Sequence, residues 1–178
     1  MIIFFLNPRL SSNMDNMKFQ KFTPEQKRNH DLRHYPVRPH VGVGGVIIWE
    51  KQILLIKRKY NPFAGKWAIP GGHLKLGEKT QAGALRECQE ETGLKLQIAK
   101  FAGIIDLIDH DSSGKYEYHY VLIDYYMNVV GHFDVNHPPI PKAQSDVKEA
   151  VFVSFSDLNK YDLTRTTKEL LKQLDILQ

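Results

Sequence analysis

The period of apolar residues changes several times along the chain, and each change marks an element. Val41–Trp49 is a run rich in β-branched residues, and Ile53–Arg58 is a second. Glu50-Lys51-Gln52 lies between them as a tight turn, so the two runs predict a hairpin. Tyr60–Lys66 reads as a loop and Trp67–Pro70 as a further short strand. The pattern then predicts a helix over Thr80–Thr92, with Gly93 where a left-handed glycine commonly ends one. Leu96–Ile108 and Tyr116–Val130 are long β-like runs, joined through the turn Asp111–Gly114 as a second hairpin. Pro138, Pro139 and Pro141 mark a loop, and Val151–Val153 a short strand. Leu163, Thr167, Leu170, Leu171 and Leu174 recur at helical spacing, which predicts a C-terminal helix from about Thr164 whose stripe is core. Strands interspersed with helices predict an α/β sandwich.

Residues 1–36 read as an arm. Thr23, Pro24 and Gln26 carry a helix-start signal for a short helix from Pro24 to about His34, which Pro36 and Pro39 then stop. The apolar stretch Ile2–Leu6 is far below the roughly 20 residues that a membrane span needs, and Met14 and Met17 are alternative starts. The arm lies over its own domain or across a homodimer interface, and the sequence leaves both open.

Composition narrows the class. A chain of 178 residues with 42% hydrophobic and 25% charged residues suits one globular domain, not a disordered, collagenous or coiled-coil chain. The single cysteine, Cys88, excludes a disulfide framework and a Cys-rich zinc module, and it fits a reducing cytoplasm. The net charge of +4 comes from basic residues interleaved with acids. It serves solubility or a mild attraction to anionic substrates, and nothing in it suggests a nucleic-acid or membrane partner. Gly42, Gly44 and Gly45 lack the full spacing of a dinucleotide fingerprint and precede no helix, so close backbone packing is expected there.

The chemistry concentrates in residues 72–94. A helix turns about 100° per residue, so Glu87, Glu90 and Glu91 share one face a turn apart. Crowded carboxylates resist ionisation unless a positive charge sits among them. Arg86 is adjacent but points about 100° away on this geometry, which leaves a divalent metal. Oxygen-only ligands select Mg²⁺ or Mn²⁺ over zinc. A solvated acidic face is the alternative, but the company argues against it. Pro70-Gly71-Gly72 lets backbone approach a metal or phosphate, and Glu78 lies near the positive end of the helix, within reach of Arg86.

These residues resemble the Nudix hydrolase family, whose signature is G-x5-E-x7-R-E-U-x-E-E-x-G-U, with U a bulky apolar residue. Gly72, Glu78, Arg86, Glu87, Glu90, Glu91 and Gly93 match every fixed position, and Cys88 and Leu94 fill the apolar ones. The resemblance implies a Nudix-type α/β/α sandwich over residues 37–178, with a mixed central sheet and a catalytic loop-helix. It implies hydrolysis of a nucleoside diphosphate linked to another moiety. Glu87, Glu90 and Glu91 would hold Mg²⁺ with the Gly71 carbonyl, and Glu78 and Arg86 would buttress the loop. The family draws its general base from different places. One is an acid before the strand that leads to the C-terminal helix, here Glu149 first and Asp146 second, with Glu117 a third candidate.

Outside the signature, Tyr35–Pro39, Lys57-Arg58 and Tyr118–Tyr125 resemble the ADP-ribose pyrophosphatase-like branch. The proline that ADP-ribose enzymes carry beyond the signature is missing, since none occurs between Pro70 and Pro138. The tyrosine that marks dinucleoside polyphosphate hydrolases is missing too. Substrates that stay open are ADP-ribose or a nucleotide sugar, an oxidised nucleoside triphosphate, and another small diphosphate. A Nudix-fold binding domain without turnover is the non-enzymatic alternative, but such domains typically lose signature carboxylates. Arg58 is the candidate phosphate clamp, Phe63 or Trp67 a candidate base stack, and Gly72 the point of close backbone approach.

Overall fold

The computed structural model describes residues 33–177, and the chain divides at Tyr35. The helix expected from Pro24 lies outside the described residues, as does most of the arm. Seven strands and two α-helices follow: β1 (His40–Trp49), β2 (Gln52–Arg58), β3 (Trp67–Ala68), β4 (Gly71–His73), α1 (Thr80–Thr92), β5 (Leu96–His110), β6 (Tyr116–Val129), β7 (Val147–Ser154) and α2 (Arg165–Gln173). A short 3-10 helix, Phe155–Lys160, links β7 to α2. The main path of the sheet runs β3-β2-β1-β6-β5, with β4 paired to β1 and β7 to β2.

Both predicted hairpins form. Glu50 and Lys51 take left-handed backbone angles (φ 45° and 61°), the geometry whose twist suits a two-residue β-turn, and Ile48 faces Ile53 across it. β5 and β6 pair antiparallel, and Asp111 closes their turn by accepting from the Ser113 and Lys115 amides. The pairing that makes the sheet mixed is β1 with β6, parallel from His40–Tyr120 to Ile47–Met127. It joins segments far apart in the chain.

Alternation on β1 and β2 explains why they read as almost continuous apolar runs. Val43, Ile47 and Leu54 face one core with Ala84 and Cys88 of α1. Val46, Ile53 and Leu55 face a second core with Leu163, Leu170 and Leu171. A helix thus covers each side of the sheet, the α/β/α arrangement, and strands buried on both faces carry no polar alternation. The C-terminal stripe is core as expected, and the Thr164 hydroxyl caps α2 by accepting from the Thr167 amide. The β1 glycines permit close packing: a Cβ on Gly45 would stand 2.8 Å from the Cys88 sulfur, so α1 could not sit this close.

Candidate active site

The loop before α1 and the first two turns of the helix are locked by one guanidinium. Arg86 Nε and Nη2 donate to Glu78 Oε1 and Oε2, both at 2.8 Å, and Nη2 also donates to the His73 carbonyl at 3.1 Å. Glu78 additionally accepts from the Lys75 amide at 3.0 Å. Arg86 holds the Glu78 carboxyl down at about 2 and is itself pushed up. The buttress is therefore a planar two-pronged pair that folds residues 73–78 back onto the helix. Arg86 does more than its angular position on the helix suggests. Its Nη1 reaches Glu87 at 2.7 Å and Glu90 at 3.4 Å, because a long side chain ending in a fork of donors spans the intervening angle.

Glu91 stands apart from the other two carboxylates. It is 8% exposed, and its Oε2 accepts from the Gly71 amide at 2.8 Å. Burial pushes its carboxyl up to about 8, against the pull of the Gly71 bond; the Glu87 and Asp146 charges add to the rise and Arg58 opposes it. Arg58, at the end of β2, donates from Nε to the Pro62 carbonyl at 3.0 Å. Burial lowers its pKa, while Glu91, Tyr120 and Asp146 act to raise it. Arg58, Glu91 and Asp146 thus share one electrostatic neighbourhood. The backbone at Gly72 lies close against the helix: a Cβ there would run into the Glu87 carboxylate.

The remaining candidates have partners of their own. Glu149 accepts from Lys57 Nζ at 2.8 Å, and Lys57 also lies over the Trp67 ring at 5.4 Å. Trp67 packs edge-on against Tyr161, with ring centroids 5.1 Å apart. Glu149, Lys57 and Trp67 therefore form a cluster of their own. Glu117 lies on β6, where its carbonyl accepts from the Tyr35 amide.

Two features escaped the sequence. His73 Nε2 meets the Tyr120 hydroxyl at 3.2 Å beside the signature loop. Asp124 on β6 is 5% exposed, and burial pushes its carboxyl up to about 7. A Cβ on Gly44 would stand 2.5 Å from its Oδ1. Both pairs join β6 to β1 and its neighbours, so only the parallel β1–β6 register exposes them.

Among the described residues, no three His, Cys, Asp or Glu side chains already converge on one point. Arg86 holds Glu87 and Glu90, and the Gly71 amide holds Glu91. The donor chemistry nonetheless suits a hard divalent cation. Three glutamates lie on one helix face, one is buried at a cost that a cation would relieve, and the adjoining backbone is glycine, packed directly against the Glu87 carboxylate.

Fold and site together define a loop-helix hydrolase of the phosphoric-anhydride type. The NUDIX domain model matches residues 38–174, and the chain belongs to the Nudix family. It is 32% identical over 161 residues to an ADP-ribose pyrophosphatase of Methanocaldococcus jannaschii, covering 88% of this chain and 89% of that protein. Among solved structures it resembles a MutT Nudix hydrolase from Burkholderia pseudomallei (TM-score 0.65, 30% identity, covering 77% of this chain and 98% of that one). It also resembles a MutT protein from Methanosarcina mazei (TM-score 0.62, 25% identity, covering 78% and 95%). Nudix hydrolases generally depend on a divalent metal. No helix among the described residues is long and apolar enough to cross a membrane.

Proposed function

We propose that this protein hydrolyses the pyrophosphate bond of ADP-ribose or a closely related nucleotide sugar, with Mg²⁺ as its metal and Mn²⁺ as a substitute. The observation that carries the reading is the intact signature: Glu87, Glu90 and Glu91 on one face of α1, with Glu91 bonded to the Gly71 amide and the loop locked by Glu78 and Arg86. The likeness to an ADP-ribose pyrophosphatase along most of both chains supports the substrate class.

Glu87, Glu90, Glu91 and the Gly71 carbonyl would hold the metal. When bound, it neutralises charge on the phosphate oxygens and lowers the pKa of the attacking water. Arg58, half-buried beside Glu91, clamps a phosphate oxygen. Gly72 lets the loop backbone lie directly against the Glu87 carboxylate, next to the diphosphate. Asp146 takes the proton from the attacking water. Asp146 is preferred to Glu149, the first choice from the sequence, because its charge acts on Glu91 and Arg58 while Glu149 is paired with Lys57. Water attacks one phosphorus, the bridging P–O bond breaks, and ADP-ribose yields AMP and ribose 5-phosphate. Trp67, packed against Tyr161 and the core on the α2 side, takes no part in this reading.

The test is a turnover panel of ADP-ribose, a nucleotide sugar and an oxidised nucleoside triphosphate with Mg²⁺, read by product identity. Preferred turnover of ADP-ribose or the sugar is expected. Preferred turnover of the triphosphate, with release of pyrophosphate, would replace the substrate reading.

A further inference from the structure

The loop between β6 and β7 has no regular secondary structure and is mostly exposed, yet its last residues are tied down in two directions. The Lys142 amide donates to the Thr92 carbonyl at 2.7 Å, and the Gln144 amide donates to the Glu91 carbonyl at 3.0 Å. Both carbonyls belong to the last turn of α1, where a helix leaves its acceptors unpaired. Gln144 then closes a tight turn by accepting from the Val147 amide at 3.2 Å, with Ser145 in the left-handed region at φ 54°. Finally, the Asp146 carbonyl accepts from the Lys59 amide at 3.0 Å, one residue past Arg58. The backbone at Asp146 is thus slung between the end of the catalytic helix and the end of the strand that carries Arg58.

These bonds cap the end of α1, but with amides from a loop distant in sequence, and the same loop is also tied to the end of β2. Gly93 already turns the chain at the helix end, and its amide returns to the Gln89 carbonyl at 2.9 Å. The loop amides go instead to Glu91 and Thr92. One of these acceptors is the backbone of the buried signature carboxylate itself.

We infer that residues Lys142–Asp146 form a positioning strap, in which two amide-to-carbonyl bonds to the end of the catalytic helix hold the Asp146 carboxylate at a set distance from Glu91. The inference rests on Asp146 being the proton acceptor. In it, the Lys142 and Gln144 amides and the Ser145 turn never touch substrate. They act through Asp146, by keeping the acid on the loop and the carboxylates on the helix in one rigid unit.

Proline exchange tests it, because proline removes an amide donor. Gln144→Pro deletes the bond to Glu91, whereas Gln144→Ala keeps it. With ADP-ribose and Mg²⁺, Gln144→Pro is expected to lower kcat about 10- to 100-fold, the scale of a misplaced catalytic group. KM and Tm should stay near wild type, and Gln144→Ala should keep wild-type kcat. A purely structural role would move Tm and leave the split between kcat and KM untouched. Should Gln144→Pro unfold the protein, Lys142→Pro decides. It deletes the other strap bond, to the Thr92 carbonyl, so kcat should fall at near-unchanged KM, and unchanged kcat overturns the strap. Asp146→Asn is measured alongside. If it is inactive while Gln144→Pro turns over normally, the strap is overturned and Asp146 stands. If Asp146→Asn keeps wild-type kcat, both the proton-acceptor reading and the strap fall.

Discussion

Replacing Glu91 with glutamine separates what this carboxylate does for stability from what it does for catalysis. In the metal-free protein its carboxyl sits at about 8, against a usual 4.5. A carboxyl raised in the folded state contributes stability that is complete below 4.5 and is lost as the pH rises through about 8. At pH 7 the unfolded chain has released this proton and the folded chain still holds it. The difference of about 2.5 units at 1.36 kcal/mol each amounts to about 3 kcal/mol of lost stability. Glutamine is neutral at every pH, and its amide oxygen still accepts from Gly71, so Glu91→Gln escapes the penalty. Denaturant unfolding in EDTA should show the variant at least as stable as wild type at pH 7. The gap should widen toward pH 8 and close near pH 4.5. With saturating Mg²⁺ the wild type should recover its deficit, since a ligand at 100 times its Kd stabilises by about 2.7 kcal/mol. The variant should gain little and should lose orders of magnitude in kcat. A Glu91→Gln protein less stable than wild type in EDTA at pH 7 to 8, or equally stabilised by Mg²⁺, would refute the reasoning.

Other substitutions probe other parts of the account. Glu78→Gln should reduce kcat less than Glu91→Gln, because Glu78 orients the loop through Arg86; an equal or larger loss in steady-state kinetics would contradict that division of roles. Asp124, raised from 3.8 to about 7, contributes stability that is complete below 3.8 and is lost as the pH rises through about 7, so Asp124→Asn should flatten the fall in Tm between pH 4 and pH 7. Leu171→Ala removes a fully buried side chain from the α2 core and should cost about 2 to 5 kcal/mol in denaturant unfolding, with KM unchanged.

Local pattern and long-range pairing divide what was legible in the chain from what was not. The α1 boundaries, the Gly93 stop and both hairpins follow from spacing and turn chemistry, which act between neighbours. β4 was missed because Gly71-Gly72-His73 carries no alternation; it is a strand only because Gly42–Gly44 lies beside it. β7 begins at Val147, ahead of the Val151 start that the pattern suggests, since pairing with β2 recruits Glu149 opposite Lys57 and Val147 opposite Arg58. The same division holds at the site. Glu78, Arg86 and the three helix glutamates lie within one short segment, so their spacing, the neighbouring glycines and the family resemblance together mark them as candidates. Asp124 and the His73–Tyr120 contact depend on which strand lands beside β1. The Lys57–Glu149 pair likewise joins residues far apart in sequence.

The central claim is that Glu87, Glu90 and Glu91 act with a divalent cation to cleave a pyrophosphate linkage. It is tested most directly by incubating the purified chain with ADP-ribose and following AMP and ribose 5-phosphate, first with Mg²⁺, then after EDTA, then after Mg²⁺ is restored. The account predicts turnover, its abolition and its return. Undiminished hydrolysis in EDTA, or no hydrolysis of ADP-ribose or a nucleotide sugar at any Mg²⁺ concentration, would contradict it.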